Sequence, residues 1–314
     1  KGIELFKKEG METDTEKKNP EELVKVIGDY DALVVRSATK VTREVLEAGG
    51  ANGNLRIVGR AGVGYDNIDV AAATEFEVLV KFAPHGNTNT TAEHAFFLMG
   101  AVSRNIPQAH YSLVNGIWRK KQFEGVELYS KTLGIIGCGR IGQRLSQLVT
   151  GFSMRVVGYD ENPVYVTSNF PQSGIEYISK EDVLRESDYI SIHTGGKDLV
   201  IGAKEISYMK PSAIFINASR NHNVDYDALY DALKSGKLAG AGIDVHENES
   251  KEGEEFRSRF KGLDNVVLTS HLGASTKEAS EKTSIEMADV VIGYLLRGNL
   301  INAINEKELY APKK

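Results

Sequence analysis

From residue 20 onward the chain alternates segments with apolar residues at helical spacing and short β-branched apolar runs, the signature of βα units and a mainly parallel sheet. Asn19 is placed to cap a helix with Pro20 in its first turn and Leu23, Val26 and Ile27 on one face, leading into a strand over 32–35. Thr42 then caps 44–48, 55–58 reads as strand, Asp69 caps 71–76, and 78–80 reads as strand, completing a first, small α/β unit. Thr90 and Glu93 stand at capping-box spacing. The helix they open is almost wholly apolar over 95–102, so it is expected to be buried on all faces, between domains or subunits. Seven strands are predicted after it, over 132–136, 155–159, 176–178, 189–193, 213–217, 241–245 and 266–269, a count that suits a doubly wound fold. A last long helix runs from Ser275, whose capping box is completed by Glu278, to Arg297 and a stop at Gly298. It reads as a return crossing into the first unit. Residues 1–8 read as helix where such a sheet normally opens with a strand, and no Met starts the chain, so a trimmed N-terminus is expected.

The clearest chemistry lies after the first of those seven strands. Gly137, Gly139 and Gly142 form a G-x-G-x-x-G that follows an apolar strand directly and opens a helix over 140–149. The first glycine permits the tight turn, the second lets backbone approach a pyrophosphate, and the third lets helix pack on strand, with the helix N-terminus facing the phosphates. Asp160 stands eighteen residues after Gly142, at the end of the next strand. A carboxylate there accepts hydrogen bonds from an adenosine ribose and repels a 2′-phosphate, so NAD is expected rather than NADP.

Composition narrows the partners. A chain of 314 residues gives about two domains by length, and 41% apolar with 26% charged residues is a globular balance. The longest apolar run, 95–102, falls well short of the roughly 18 to 20 residues that cross a bilayer. The 38 basic residues are scattered among 43 acidic ones for a net charge of −5, which argues against nucleic acid or membrane as the main partner. An anionic substrate therefore needs a local cationic pocket. Residues 1–18 hold no apolar stretch or cleavage site, so no signal peptide is expected. The single cysteine, Cys138, makes neither an internal disulfide nor a cysteine metal cluster; no metal is expected, and a reducing, cytoplasmic location is.

Hydride transfer needs a group that takes the alcohol proton as the hydride leaves, and histidine suits neutral pH. His271 follows the strand at 266–269 and precedes the small-residue turn Gly273-Ala274-Ser275, at a strand's carboxyl end where open α/β sheets carry their sites. His222 and His246 are rivals. A 2-oxo acid also needs a planar bidentate cation, and Arg220 stands at another carboxyl edge, just past the strand at 213–217. Glu249 lies five residues beyond Asp244, with Glu247 an equal contender by pattern, in a stretch, 247–255, that otherwise reads as a solvated acidic loop.

The motifs together resemble the D-2-hydroxyacid dehydrogenase family, and most of all its D-3-phosphoglycerate dehydrogenase branch. The matching stretches are VRSATKVT at 35–42, VGRAGVGYDNID at 58–69, TLGIIGCGRIG at 132–142, INASR at 216–220, GAGIDV at 240–245 and SHLGASTKEA at 270–279. The resemblance implies that Arg220, Glu249 and His271 are the catalytic arginine, glutamate and acid/base histidine. It further implies a cofactor site formed by Gly137, Gly139, Arg140, Ile141, Gly142, Asp160, Ala218, Arg220 and His271, with His193 and Thr194 at the adenosine end and Asp244, Gly273 and Ala274 at the nicotinamide end. Substrate groups are implied at Arg36, Ser37, Arg60, Gly62, Val63, Gly64 and Asn87, and the basic loop Trp118-Arg119-Lys120-Lys121 resembles one that approaches the phosphate pocket. The chain departs from the family pattern in four places. His193-Thr194-Gly195 replaces His-x-Pro, Asn221 a glycine after Arg220, Ser250 a proline after Glu249, and Ala38 an arginine of some bacterial members.

The expected architecture is α/β with two doubly wound domains: a Rossmann-type NAD-binding domain, 85–269, inserted in a smaller flavodoxin-like substrate domain, 1–84 and 270–314. The resemblance implies NAD-dependent oxidation of D-3-phosphoglycerate to 3-phosphohydroxypyruvate, at the head of serine synthesis, in a homodimer or higher homo-oligomer built through the helix at 90–104. Because the chain stops soon after the return helix, a C-terminal regulatory domain and serine feedback through it are not expected. Two other readings stand beside this one: a glyoxylate or hydroxypyruvate reductase of the same family, and a peptide-docking co-repressor of the C-terminal binding protein type, which shares the fold. Formate dehydrogenase is disfavoured by Glu249, since that branch pairs its histidine with glutamine.

Overall fold

The structure, a computed structural model, describes residues 1–171, 173–250 and 253–310. The chain divides into two compact units, Lys1–Asn87 with Thr276–Lys314, and Thr88–Ser275. The breaks fall three and six residues beyond those read off the sequence. The second lies later because the turn after residue 270 is held by the larger unit, where His271 N and Gly273 N donate to Asp244.

The smaller unit carries a parallel three-stranded sheet in the order β1 (Ala32–Val35), β2 (Ile57–Arg60), β3 (Leu79–Phe82). The register brings Val35, Arg60 and Phe82 level at the carboxyl edge. Alternation along β2 sends Val58 to one face, against Leu23, Leu46 and Ala73, and Ile57 to the other, against Met287 and Val291 of the Lys277–Arg297 helix. Helices therefore cover both faces. A β-carbon at Gly59 would lie 2.4 Å from Met287 Sδ, so glycine there lets the long helix lie on the sheet.

The larger unit is a seven-stranded parallel sheet: β4 (Thr132–Ile136), β5 (Arg155–Tyr159), β6 (Glu176–Tyr177), β7 (Tyr189–Ile192), β8 (Ile214–Asn217), β9 (Gly240–Ile243) and β10 (Val266–Leu268), in the order β10-β9-β8-β7-β4-β5-β6. All seven predicted strands are present. Ile136, Ile190, Phe215 and Ile243 face one core with the Lys180–Glu186 and Tyr226–Lys234 helices; Leu133, Ile135, Tyr189 and Ile216 face the other with the Thr88–Ser103 and Arg140–Leu148 helices. Strand order reverses between β4 and β7, which opens a crevice at their carboxyl ends, the position where doubly wound sheets bind ligands.

Two local expectations, both of them helix starts, are corrected. The first long helix begins at Thr88, two residues before the expected cap, and the Glu93 carboxylate takes Asn89 Nδ2 at 2.5 Å. Within this chain Ala92, Ala95, Leu98 and Met99 of that helix enter the core, while Phe97 is 64% exposed. Its near-uniform apolarity therefore marks a surface as well as a core. The last helix is capped by Thr276, whose hydroxyl accepts from Ala279 N, rather than by Ser275; it ends, as expected, at a left-handed Gly298. Among the described residues no helix is long and apolar enough to cross a membrane.

Candidate active site

The glycine loop is built as its sequence implies. Gly137 leaves β4 with φ +90°, and a β-carbon on it would lie 2.8 Å from the His193 carbonyl, so only glycine lets the β4 turn pass the β7 end. A β-carbon on Gly142 would meet Gly137 O at 2.6 Å and Ile135 Cγ2 at 2.9 Å, the close packing of helix on strand. Gly139, the N-cap of the Arg140–Leu148 helix, faces open space and caps the helix with no side chain. The N-terminal amides of the half-buried Ile141 and exposed Arg140 turn are thus offered to an anion. Asp160, at the end of β5, accepts from Cys138 N at 2.8 Å through one oxygen and from Asn162 N at 2.9 Å through the other. The open cradle at Gly139, the uncapped helix and this carboxylate fit a dinucleotide. Burial pushes the Cys138 thiol up to about 12, so this cysteine is a packing residue, not a nucleophile.

Across the crevice, His193 Nε2 lies 2.9 Å from Ser191 Oγ, and burial pushes its imidazole down to about 4, so it is neutral at pH 7. Thr194 donates from its hydroxyl to Asn223 Oδ1 and accepts Ser219 Oγ at its carbonyl. The chain past β8 is fixed by Asn217, whose amide donates to Arg220 O at 3.0 Å and to Tyr226 Oη at 3.0 Å while its oxygen takes Ser219 N. Ala218 is buried in this turn, and Arg220 emerges from it partly exposed, donating from Nη1 to Ser219 O.

His271 and Glu249 come together: Nδ1 lies 2.9 Å from each carboxylate oxygen, and both side chains are nearly half exposed. The Glu249 hydrogen bond raises the His271 pKa; burial opposes this, Glu249 and Asp244 add to it by charge, and Arg220 works against it. Burial would raise Glu249, but the hydrogen bond and charge of His271 bring it below the ordinary glutamate range. His271 holds a left-handed backbone, φ +57°, with its amide on Asp244 O.

The rivals are occupied elsewhere. Glu247 pairs with Arg259 at 2.7 Å, and exposed His222 meets Gly196 O. His246 is buried, donates from Nε2 to Thr269 O at 2.8 Å, packs on Phe256, and offers its backbone amide to Glu249. Asp244 is fully buried, and its carboxylate takes Leu272 N and Gly273 N. A β-carbon on Gly273 would lie 3.1 Å from Asp244 Oδ2; Ala274 beside it is exposed.

In the smaller unit, Arg36 and Ser37 are exposed after β1, and Asn67 Nδ2 holds Arg36 O. Arg60 Nη1 donates to Ala61 O at 2.7 Å, and its guanidinium lies where a side chain at Gly62 would project. Val63 and Gly64 continue that loop half-buried. Asn87 Oδ1 is buried and meets no donor among the described residues. Trp118, Arg119, Lys120 and Lys121, in the larger unit, are all exposed.

Three polar side chains escaped the sequence reading: His94, within the apolar helix, 3.1 Å from Asp244 Oδ1; Asn217; and Tyr226, whose buried hydroxyl donates to Val245 O. The available signal for His94 was a single imidazole, beside Glu93, at the head of the apolar run 95–102.

Comparison with known proteins identifies the family. Residues 96–273 match the D-isomer specific 2-hydroxyacid dehydrogenase, NAD binding domain family. A hydroxypyruvate reductase of Thermotoga maritima is 41% identical over 91% of this chain and 92% of its own length. A D-3-phosphoglycerate dehydrogenase of Methanocaldococcus jannaschii is 43% identical over 91% of this chain, but the match spans only 53% of that protein, so the chain covers about half the length of such relatives. Among solved structures, an acyclic imino acid reductase in complex with NADPH and D-Arg superposes with a TM-score of 0.82 at 30% identity, covering 96% of this chain and 95% of that one. With a Rossmann-type sheet, a dinucleotide cradle and this similarity, the chain belongs to the D-isomer specific 2-hydroxyacid dehydrogenase family and is an NAD-dependent oxidoreductase.

Proposed function

We propose that the chain oxidises D-3-phosphoglycerate to 3-phosphohydroxypyruvate, with Arg220, Glu249 and His271 as its catalytic residues. The 2.9 Å contact of His271 Nδ1 with Glu249, beside the charge of Arg220, carries this reading. Arg220 binds the substrate carboxylate and polarises the C2 oxygen. His271 takes the hydroxyl proton on Nε2, since Nδ1 is held by Glu249. Glu249 orients the ring and stabilises the imidazolium that results. NAD, when bound, supplies the hydride acceptor. Asp160 and the Gly137-to-Gly142 loop hold its adenosine and pyrophosphate, His193, Thr194 and Ala218 line the same crevice, and Asp244, Gly273 and Ala274 serve the nicotinamide end. In the smaller unit, Arg36, Ser37, Arg60, the Gly62-Val63-Gly64 loop and Asn87 serve the substrate, Arg36 and Arg60 giving cations suited to its phosphate. The exposed apolar surface of Phe97, Tyr111, Leu113 and Val114 supports a homodimer.

The Thermotoga relative, matched along nearly its whole length, supports a second reading as a hydroxypyruvate reductase. The test is NAD reduction with D-3-phosphoglycerate, the keto acid being trapped, beside D-glycerate and D-lactate, for the wild type, Arg60→Ala and His271→Ala. The proposal expects preference for the phosphorylated acid, lost in Arg60→Ala, and a loss of at least about 100-fold in turnover in His271→Ala. Turnover confined to unphosphorylated acids moves the reading to the reductase, and normal turnover in His271→Ala removes the mechanism.

A further inference from the structure

His94 lies on the Thr88–Ser103 helix, its side chain 19% exposed, with Nε2 3.0 Å from Thr269 Oγ1 and 3.1 Å from Asp244 Oδ1. The direction of these bonds follows from their chemistry. Thr269 spends its single hydroxyl proton on Asp244 Oδ1, 2.6 Å away, which leaves Oγ1 an acceptor; the carboxylate has only lone pairs to offer. His94 Nε2 therefore carries a proton and shares it between the two oxygens.

Asp244 Oδ1 also takes Leu272 N at 2.7 Å, Oδ2 takes Gly273 N at 2.8 Å, and Asp244 O takes His271 N at 2.8 Å. One buried aspartate thus holds three successive amides of the turn that keeps His271 left-handed. Thr269 is gripped from both sides, by His94 at its hydroxyl and by His246 at its carbonyl, and His246 N in turn reaches Glu249 Oε1 at 3.3 Å. Thr91, one turn before His94, forms the floor under Gly273. These contacts all lie within the larger unit.

We infer that His94 is a positioning residue: by donating to Asp244 and Thr269 it fixes the 271–273 turn, and with it the direction of the His271 imidazole. The catalytic consequence rests on the reading of His271 as the acid/base. Removing the donor leaves a fully buried carboxylate short of one hydrogen bond, and the carboxylate is what the turn hangs from. A displaced acid/base lowers turnover while leaving the carboxylate anchor at Arg220 intact.

The experiment compares His94→Leu with His94→Gln, whose amide donates at a similar reach, in the intact chain. Two readouts are needed: amide hydrogen exchange across 269–275, which requires no activity, and steady-state kinetics. In His94→Leu we expect faster exchange at 271–273 with the β4–β8 amides unchanged, and kcat lower by about 10- to 100-fold with KM for the acid within about threefold of wild type. In His94→Gln we expect slow exchange and kcat restored to within about threefold. Unchanged exchange and kcat in His94→Leu overturn the inference, as does a Gln variant that loosens the whole unit as much as Leu does. Faster exchange at 271–273 with full turnover upholds the positioning and instead removes His271 from the chemistry, so the two failures read differently.

Discussion

At the scale of single residues, the site turns on how Glu249 sets the charge of His271. On the proposed mechanism the imidazole is neutral when it accepts a proton from the alcohol and protonated when it returns one to a 2-oxo acid. The Glu249 hydrogen bond, opposed by burial and supported by the charges of Glu249 and Asp244, raises the His271 pKa above its ordinary value. Oxidation therefore gains speed only as pH rises through that raised value, and reduction is lost there. In Glu249→Gln the charge is gone, so the acid limb of the oxidation profile moves to lower pH and the reductive limb retreats with it. A kcat/KM profile measured in both directions checks this; a limb that stays in place or moves upward assigns the titration to another group. The same shift has a stability sign: a raised folded pKa gives stability that is fully present below the unfolded histidine value and lost as pH rises through the folded one. Sequence pattern reached this pair only as one of several, because His222, His246 and Glu247 sit at equally plausible spacing. The choice depends on Arg259 taking Glu247 and Thr269 taking His246, contacts between segments that no local spacing encodes.

At the scale of elements, the glycine loop separates a residue that serves the fold from one that, on the proposed function, serves the ligand. Alanine at 142 places a β-carbon 2.6 Å from Gly137 O, and since that neighbour is backbone the helix has to move off β4. Alanine at 139 meets no protein atom within 4 Å, and the backbone there, φ −71°, accepts an L-residue. Gly142→Ala is therefore expected to lower the thermal midpoint, at a cost of about 1–3 kcal/mol for an overpacked core contact, and to weaken NAD as well. Gly139→Ala is expected to keep the wild-type midpoint and still lose NAD affinity by about tenfold or more, because its methyl fills the approach to the helix N-terminus. Calorimetric melting and NAD titration of both variants check the pair, and equal destabilisation by the two would contradict it. The strands were readable because their β-branched runs are short and bounded. Helix starts were less so: Thr90 and Ser275 stand at capping-box spacing, yet the first helix begins at Thr88 and the last is capped by Thr276.

At the scale of the whole molecule, the smaller unit is assembled from stretches separated by the entire larger unit, and Lys81 marks where they join. It sits in β3 at 1% exposure, bridges to Ala303, donates from Nζ to Asn299 O at 2.5 Å and lies 5.8 Å from the Tyr294 ring. Sequence pattern read residues 78–80 as the strand and stopped before this lysine, since a charge in a core strand is a local contradiction that only the returning segment resolves. Burial pushes the amine down to about 8, with the Glu306 charge working the other way. Below that value the amine is charged in both folded and unfolded chains and the cost of burying it is fully present. Between about 8 and the ordinary lysine value near 10.5 the unfolded chain binds more protons, so stability rises with pH. Lys81→Met removes the charge and keeps the stem's volume, at the loss of one hydrogen bond and one ring contact. It is expected to be more stable than wild type at pH 7 by about 1–3 kcal/mol, with the advantage shrinking as pH approaches 10.5. Calorimetry of both proteins at pH 7 and pH 10 measures the difference directly. A gap that is constant with pH means the amine titrates alike in both states, and a gap that widens means its charge stabilises the join between the two stretches.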